Sequence, residues 1–293
     1  MVALMAGKEE ADHEVIDIHP HVISEDCSRY PLSPLFGSQS DWSRERPMPI
    51  HRLAASMDEA GVSRAAIAQV STCYGYDNTY LLDSVMTDRR RFAAVCSFDL
   101  LDARAPSHIL NAIPHGLAGV RIFTGGVRSF DTSTLDDRSS FPVWEMCGEL
   151  NLPISIQTGP IGLAQVAGLA KRFPNVKIIL DHLARPDISD GPPYSKAVSL
   201  FAMAAFENIY LKGTPRTFHE STEGLATPQT FFPKLVAEFG AARIAWGSNY
   251  PASQGGLVQL LTTARQRLAC LSQEDRTWIF CKTAKDLYPS LAI

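Results

Sequence analysis

Two histidines separated by one residue, His19 and His21, are the side chains of this sequence most able to act together chemically. They follow an apolar run, Val15 to Ile18, that is typical of a short buried strand. Side chains two residues apart on an extended chain point to the same side, so both imidazoles can reach one point. The pair predicts a metal site or a site that polarises a carbonyl group. Two unrelated histidines in a surface loop are the alternative.

The elements that must position this pair form a repeating pattern along nearly the whole chain. Short apolar, β-branched runs alternate with helical stretches, and the predicted strands are residues 15–18, 65–70, 92–97, 119–123, 153–157, 176–182, 209–212 and 243–247. Eight such units predict an α/β protein with the (β/α)8 TIM barrel fold. An open doubly wound sheet is the rival fold. No G-x-G-x-x-G motif follows the first strand, which counts against a dinucleotide site there.

Polar residues that could take part in catalysis or binding stand at the ends of several predicted strands: His19, His21, Gln157, His182 and Asn249. Active sites of such barrels lie at the carboxyl ends of the strands. The recurrence of polar residues at these ends therefore predicts an enzyme.

Residues 1–293 are predicted to form a single barrel domain, with a flexible N-terminus over 1–13 and a long loop over the barrel mouth at 24–49. The net charge of −4 gives no global attraction to nucleic acid or to an anionic membrane. No apolar run reaches the roughly 20 residues that span a bilayer. Six cysteines without C-x-x-C spacing predict reduced thiols in a cytoplasmic protein. Assembly into a homo-oligomer is left open.

Basic residues cluster at or just beyond the predicted ends of strands four, six and seven: Arg121, Arg128, Arg185, Lys212 and Arg216. Arginine suits a two-point grip on a carboxylate or sulfonate, so the cluster predicts a small anionic substrate. Arginines that merely solvate surface loops are the alternative.

Three aromatic residues in predicted loops are further candidates for the substrate pocket. Trp42, Tyr74 and Tyr76 could wall it, and a tyrosine could donate a hydrogen bond to an acid group. Local packing is the alternative reading of all three.

Five stretches together resemble the amidohydrolase superfamily, in the branch called amidohydrolase 2, and within it the lactonases similar to the 2-pyrone-4,6-dicarboxylate and 4-sulfomuconolactone enzymes. The matching stretches are residues 17–21, 74–78, 119–121, 181–187 and 246–251. The resemblance implies that His19, His21 and His182 hold one divalent metal, such as Zn²⁺, or polarise the substrate carbonyl directly without a metal. It also implies that Arg121 and Arg185 hold the acid groups of the substrate.

Two positions depart from the family pattern. Gln157 stands where metal-dependent members have a histidine, and an amide is a poor zinc ligand. Gln157 is instead predicted to be a substrate-binding residue. Asn249 stands where the family has the aspartate that activates water, and an amide cannot accept a proton at neutral pH. Three interpretations remain open: a natural member with another base, a binder that has lost hydrolysis, or a substitution that traps substrate.

Few residues could replace the missing base. His51 and Asp77 are candidates, although His51 could be a surface residue and Asp77 could cap the following helix. Asp181 precedes His182 and is expected to point to the other side of its strand.

The sequence as a whole predicts a hydrolase that opens the lactone ring of a small anionic compound, in aromatic or sugar-acid catabolism. Water would attack the carbonyl, with His19, His21, His182 and Asn249 at the catalytic centre. The alternatives are a metal-dependent decarboxylase of an aromatic acid and a catalytically disabled binder.

Overall fold

Eight parallel strands form one sheet in the order in which they occur along the chain. The computed structural model describes residues 14–125 and 131–292. The strands are β1 Val15–Asp17, β2 Val62–Ala68, β3 Phe92–Ser97, β4 Leu117–Phe123, β5 Ile154–Gln157, β6 Ile178–Asp181, β7 Ile209–Gly213 and β8 Ile244–Trp246. Ile18 donates a backbone hydrogen bond to the carbonyl of Trp246 at 3.2 Å, which links the first strand to the last. The predicted (β/α)8 barrel is confirmed.

Helices occupy most of the crossovers between the strands. They are α1 Asp41–Glu45, α2 Ile50–Ala60, α3 Ser71–Tyr74, α4 Thr79–Val85, α5 Ala105–Ala112, α6 Phe141–Glu149, α7 Leu163–Arg172, α8 Val198–Ala202, α9 Pro215–Glu220, α10 Pro228–Phe239, α11 Leu257–Arg267, α12 Gln273–Thr277 and α13 Thr283–Leu287. Helix α2 ends just before Gly61, which adopts the left-handed conformation (φ +71°) that terminates helices. Within the described ranges, no helix is both long and apolar enough to span a membrane.

The C-terminal segment closes the floor of the barrel. Tyr288 is fully buried and packs with apolar side chains of the barrel interior, among them Ile16 and Ile179. A Cβ at Gly119 would lie 3.1 Å from the Tyr288 ring, so glycine on β4 gives that ring its space. The site must therefore lie at the opposite, carboxyl end of the strands.

The segment 24–49, predicted as a long loop over the barrel mouth, contains α1 and a short 3-10 turn. Its Arg46 donates hydrogen bonds to the backbone carbonyls of Ala252 and Ser253, at 3.2 and 3.1 Å. Its Trp42 ring lies 5.5 Å from the ring of His21. The segment thus contacts both the loop after β8 and the first-strand histidines. The predicted flexible N-terminus, 1–13, lies outside the described residues.

Candidate active site

Three imidazoles converge at the carboxyl ends of the strands. The ring centroid of His19 lies 4.9 Å from that of His21 and 5.2 Å from that of His182. All three side chains are buried. The structure therefore brings together the histidines that the sequence singled out.

A left-handed turn after β6 carries His182 into this cluster. His182, Leu183, Ala184 and Arg185 all have φ between +53° and +56°. Each non-glycine residue in this conformation costs about 1–2 kcal/mol, because Cβ crowds the next carbonyl oxygen. Such strain persists where the surroundings hold it in place, and it is commonest at functional sites.

Beneath the histidines lies a buried group of charged side chains. Asp181 on β6 pairs through Oδ1 with Lys212 Nζ on β7, at 2.7 Å, and through Oδ2 with Arg121 Nε on β4, at 3.1 Å. Ser155 on β5 donates to the same carboxylate at 2.5 Å. Although burial opposes ionisation, Lys212 and its neighbours hold the pKa of Asp181 well below its usual value.

The expectation for Asp181 was wrong. Strict alternation along β6 would turn Asp181 and His182 to opposite sides, but β6 ends at Asp181 and His182 begins the left-handed turn. Asp181 faces the barrel interior, 4.0 Å from His19 Nδ1, and is fully buried.

Lys212 also contacts the first histidine of the cluster. Its Nζ lies 3.0 Å from Nδ1 of His19 and 3.0 Å from Oγ of Ser155. Nε2 of His19 is buried and has no hydrogen-bond partner among the described residues. The glycine that follows β8 leaves room for the Lys212–His19 contact. A Cβ at Gly247 would lie 2.6 Å from His19 Cβ and 3.3 Å from Lys212 Cγ.

His21 has different partners. Its Nδ1 lies 2.7 Å from the Ala68 carbonyl oxygen, and its Nε2 lies 3.4 Å from Oδ1 of Asn249. Asn249, which has φ +50°, donates from Nδ2 to Ser253 Oγ at 3.0 Å. Nδ1 of His182 is 2.8 Å from Thr214 Oγ1.

Burial keeps the three imidazoles neutral near pH 7. It lowers the pKa of His21 to about 4, helped by the charge of Arg121, and that of His182 to about 3. Burial and the Lys212 charge lower the pKa of His19 well below its ordinary value. Burial raises the pKa of Asp17 to about 6, although its carboxylate accepts hydrogen bonds from the backbone N–H groups of His19 and Ser248.

Two predicted substrate-binding side chains contact each other inside the barrel. Arg121 is 3% exposed and donates to Asp181, to the Gln69 carbonyl and to Oε1 of Gln157. Gln157 in turn donates from Nε2 to the Gly125 carbonyl at 3.1 Å. Both side chains have protein partners, so a direct role in substrate binding stays a prediction for them.

The other predicted arginines differ in their surroundings. Arg185 is half-buried at the end of the left-handed turn, and burial together with the charge of Arg216 lowers its pKa to about 10. Arg216 is exposed and pairs with Glu220 at 2.7 Å. Arg128 lies outside the described residues.

The aromatic candidates separate into three environments. Tyr74 is buried, and its hydroxyl accepts a hydrogen bond from the Ser24 N–H at 2.9 Å, so it anchors the segment 24–49. Tyr76 is 46% exposed. Trp42 contacts His21, as described above, and of the three it is the one against the histidine cluster.

The candidate replacement bases lie on the surface. Asp77 is exposed and accepts hydrogen bonds from the N–H and hydroxyl of Thr79, at 3.0 and 2.6 Å, at the start of α4. His51 is exposed on α2.

The donor set does not fit a zinc ion. An ammonium has donors only, so Nδ1 of His19 accepts from Lys212 and the proton of the neutral ring lies on Nε2, which then has no lone pair for a metal. The charge of Lys212 would also repel a cation, and Gln157 is engaged with Arg121. Within residues 14–125 and 131–292, no group of three or more His, Cys, Asp or Glu side chains is arranged to hold a metal.

A barrel with a polar cluster at the carboxyl ends of its strands has the layout of a TIM-barrel enzyme. The chain belongs to the amidohydrolase family, whose model, described as Amidohydrolase, matches residues 16–290. It is an amidohydrolase-family hydrolase.

Three known proteins illustrate the similarity. An L-fucono-1,5-lactonase of Burkholderia ambifaria is 27% identical over 206 residues, which are 67% of this chain and 67% of that protein. A Pseudomonas putida structure described as a 2-pyrone-4,6-dicarboxylic acid hydrolase has a TM-score of 0.76 at 20% identity, covering 95% of this chain and 98% of that chain. A zinc-bound amidohydrolase of Burkholderia multivorans has a TM-score of 0.75 at 17% identity, covering 94% of this chain and 99% of that chain. The two structures share the fold.

Proposed function

We propose that this protein opens the lactone ring of a small anionic compound by attack of water on the ring carbonyl, without a metal. The observation that carries the proposal is the buried Nε2 of His19, which has no partner among the described residues and lies in a cluster of imidazoles. A neutral imidazole N–H in that place can stabilise a developing oxyanion. The similarity to an L-fucono-1,5-lactonase supports a lactone as the substrate.

The reaction needs one electrophile and one acceptor for the proton of water. The water oxygen bonds to the carbonyl carbon, and the carbonyl electron pair moves to the oxygen, where His19 and His182 can donate hydrogen bonds. The tetrahedral intermediate then breaks the ring C–O bond, and the proton removed from water passes to the departing ring oxygen. Asn249 can accept a hydrogen bond from the water but cannot take its proton.

The predicted negative charge of the substrate is supported by the surroundings of Arg185. Burial and the neighbouring Arg216 disfavour its cationic form, and the carboxylates of Glu220 and Asp181 offset this only in part, so the pKa of Arg185 is lowered to about 10. A carboxylate bound there would relieve that repulsion through charge-assisted hydrogen bonds. Because Arg185 follows His182 by three residues in one turn, the acid group would be held close to the reacting carbonyl.

Hydrolysis should be measured as proton release from a panel of aldonolactones and carboxylate-bearing lactones. We expect turnover of at least one of them, with His19→Gln reducing kcat by about 100-fold or more. Arg185→Gln should raise KM for carboxylate-bearing lactones, whereas Arg104→Gln, an exposed arginine paired with Asp102, should leave KM unchanged. Absence of turnover by both the wild type and Asn249→Asp would overturn the proposal.

The two alternatives give different results in the same experiments. A metal-dependent decarboxylase would release CO2 from an aromatic acid and would need a ligand set that these side chains do not fit. A disabled binder would be stabilised thermally by a lactone without turning it over, even as Asn249→Asp.

A further inference from the structure

The Nδ1 atoms of His19 and His21 have opposite kinds of hydrogen-bonding partner. Nδ1 of His19 lies 3.0 Å from the ammonium nitrogen of Lys212, and Nδ1 of His21 lies 2.7 Å from the Ala68 carbonyl oxygen. An ammonium can only donate and a carbonyl oxygen can only accept. In neutral rings, Nδ1 of His19 is therefore bare. Both nitrogens of His21 face acceptors, and its single proton belongs on Nδ1, where the contact to the Ala68 carbonyl is 2.7 Å, against 3.4 Å from Nε2 to Asn249 Oδ1.

The other nitrogen of each ring follows from this. His19 has its single proton on Nε2, the buried nitrogen without a partner among the described residues. His21 has a lone pair on Nε2, which lies 3.4 Å from Oδ1 of Asn249. At Nε2, His19 thus offers a hydrogen-bond donor and His21 offers an acceptor.

We propose that Lys212 and the Ala68 carbonyl hold His19 and His21 in opposite tautomers, so that His19 donates to the substrate carbonyl oxygen and His21 accepts the proton of the attacking water. This inference rests on the proposed lactone hydrolysis. It assigns the base that Asn249 cannot supply, and it makes Lys212 a positioning residue that acts through His19.

We place the water molecule beside Nε2 of His21 and Oδ1 of Asn249, because two acceptors 3.4 Å apart leave no room for a water between them. Nε2 of His21 and Oδ1 of Asn249 can each receive one O–H of the same water, which leaves a water lone pair for the carbonyl carbon. As the new C–O bond forms, the proton moves to Nε2 of His21. The resulting imidazolium returns it to the ring oxygen when the ring C–O bond breaks.

Lys212 is itself fixed by its other contacts. Its ammonium has donors to Asp181 at 2.7 Å and to Ser155 at 3.0 Å, so the donor to His19 is the third of its three N–H bonds. The side chain is fully buried, and Gly247 leaves the space in which it reaches His19. The Lys212–His19 contact is therefore part of the packed barrel rather than a surface encounter.

Ring nitrogen NMR of protein labelled with 15N-histidine tests the tautomers directly, because protonated and bare ring nitrogens have well-separated chemical shifts. Single His→Gln variants assign the signals. At neutral pH we expect His19 protonated only at Nε2 and His21 protonated only at Nδ1. Two rings in the same tautomer, or either ring carrying two protons, would overturn the proposal.

Two variants test whether Lys212 itself, rather than the buried group around it, sets the tautomer of His19. Lys212→Met should change the His19 nitrogen pattern and leave that of His21 unchanged. Ser155→Ala is the matched control, since it disturbs the same buried group without contacting His19, and both patterns should persist. An unchanged His19 pattern in Lys212→Met would contradict the assignment. If Lys212→Met does not fold, the wild-type spectrum still decides.

Kinetics on a lactone that the wild type hydrolyses tests the role of His21. His21→Gln should lower kcat by about 100-fold or more with KM within about threefold. If the NMR spectra show opposite tautomers but no lactone is hydrolysed, the proposed function and the catalytic roles of His19 and His21 are refuted, and only the tautomer assignment stands. Lactone turnover by a protein with like tautomers would refute this inference and leave the proposed function intact.

Discussion

Arg121 of β4 and Asp181 of β6 meet inside the barrel, where Nε of the arginine lies 3.1 Å from Oδ2 of the aspartate. Lys212 pairs with the other carboxylate oxygen at 2.7 Å, so one carboxylate contacts two cations. All three side chains are buried directly beneath the histidine cluster. Positive charge in a site of low dielectric favours an oxyanion above it.

This arrangement predicts an order of stabilities. Asp181→Asn leaves two buried cations together, whereas Lys212→Met leaves the Arg121–Asp181 pair intact. We expect Asp181→Asn to lower the free energy of unfolding by about 3–5 kcal/mol and Lys212→Met to lower it by less. Urea denaturation measures both. The exposed Lys196–Asp187 pair supplies the control, because Lys196→Met should change stability by less than about 1 kcal/mol. A larger loss for Lys212→Met than for Asp181→Asn would contradict the prediction.

Asn249→Asp should raise kcat on a lactone by about tenfold or more. The aspartate would place a carboxylate about where the amide oxygen now lies, 3.4 Å from His21 Nε2, and a positioned general base contributes on the order of 10²–10⁴. Steady-state kinetics of the wild type and the variant make the comparison, with Ser253→Ala to test the partner of the amide. A loss of activity in Asn249→Asp would show that the amide is itself required.

Stability should fall as the pH drops from about 6.5 to 4. In this range the unfolded chain protonates His21 and His182, whose folded pKa values are lowered to about 4 and about 3. Asp17 opposes them, because its folded pKa of about 6 lies above the ordinary 3.8 and it takes up a proton first in the folded state. The unfolded state still binds more protons, so stability rises with pH.

We expect a net slope of about 1–3 kcal/mol per pH unit between pH 4 and 6.5, from urea denaturation at a series of pH values. His182→Gln should reduce that slope, and His219→Gln, an exposed histidine, should not. A slope of zero or of opposite sign would show that the buried histidines do not govern acid unfolding.

Gly247→Ala should destabilise the protein and lower its activity together. The new methyl would lie 2.6 Å from His19 Cβ, and overpacking of this kind typically costs about 1–3 kcal/mol. Gly168→Ala is the matched control on α7, where a Cβ meets nothing within 4 Å, and it should stabilise by up to about 1 kcal/mol. Thermal unfolding distinguishes the two, and equal effects would contradict the packing argument.

The barrel and its three histidines were predictable because they depend on local patterns. Strand periodicity and the position of polar residues at strand ends bring His19, His21 and His182 to one face. The environment of Lys212 was not predictable, because its contacts come from strands across the barrel and from the small residue Ser155. The spacing of residues within β7 does not indicate which side chains of the other strands will contact Lys212.

Asp181 shows a second limit of sequence patterns. Side chains alternate between the two faces only while the chain stays extended. Here β6 ends at Asp181, and the left-handed turn begins at His182. Gly247 carried a usable signal, since a glycine beside a strand often marks a place where another group approaches closely, here the Cβ of His19. Arg121 was identified by type, but its inward contacts could be known only from the fold.

The left-handed turn joins His182 and Arg185 in one unit of four residues. In a design setting this means that reactivity and substrate selection cannot be altered separately on this strand, because relaxing the turn to move the guanidinium would also rotate the imidazole. New specificity would be acquired more readily from the segment 24–49, which meets the histidine cluster through Trp42 at His21 rather than at this turn.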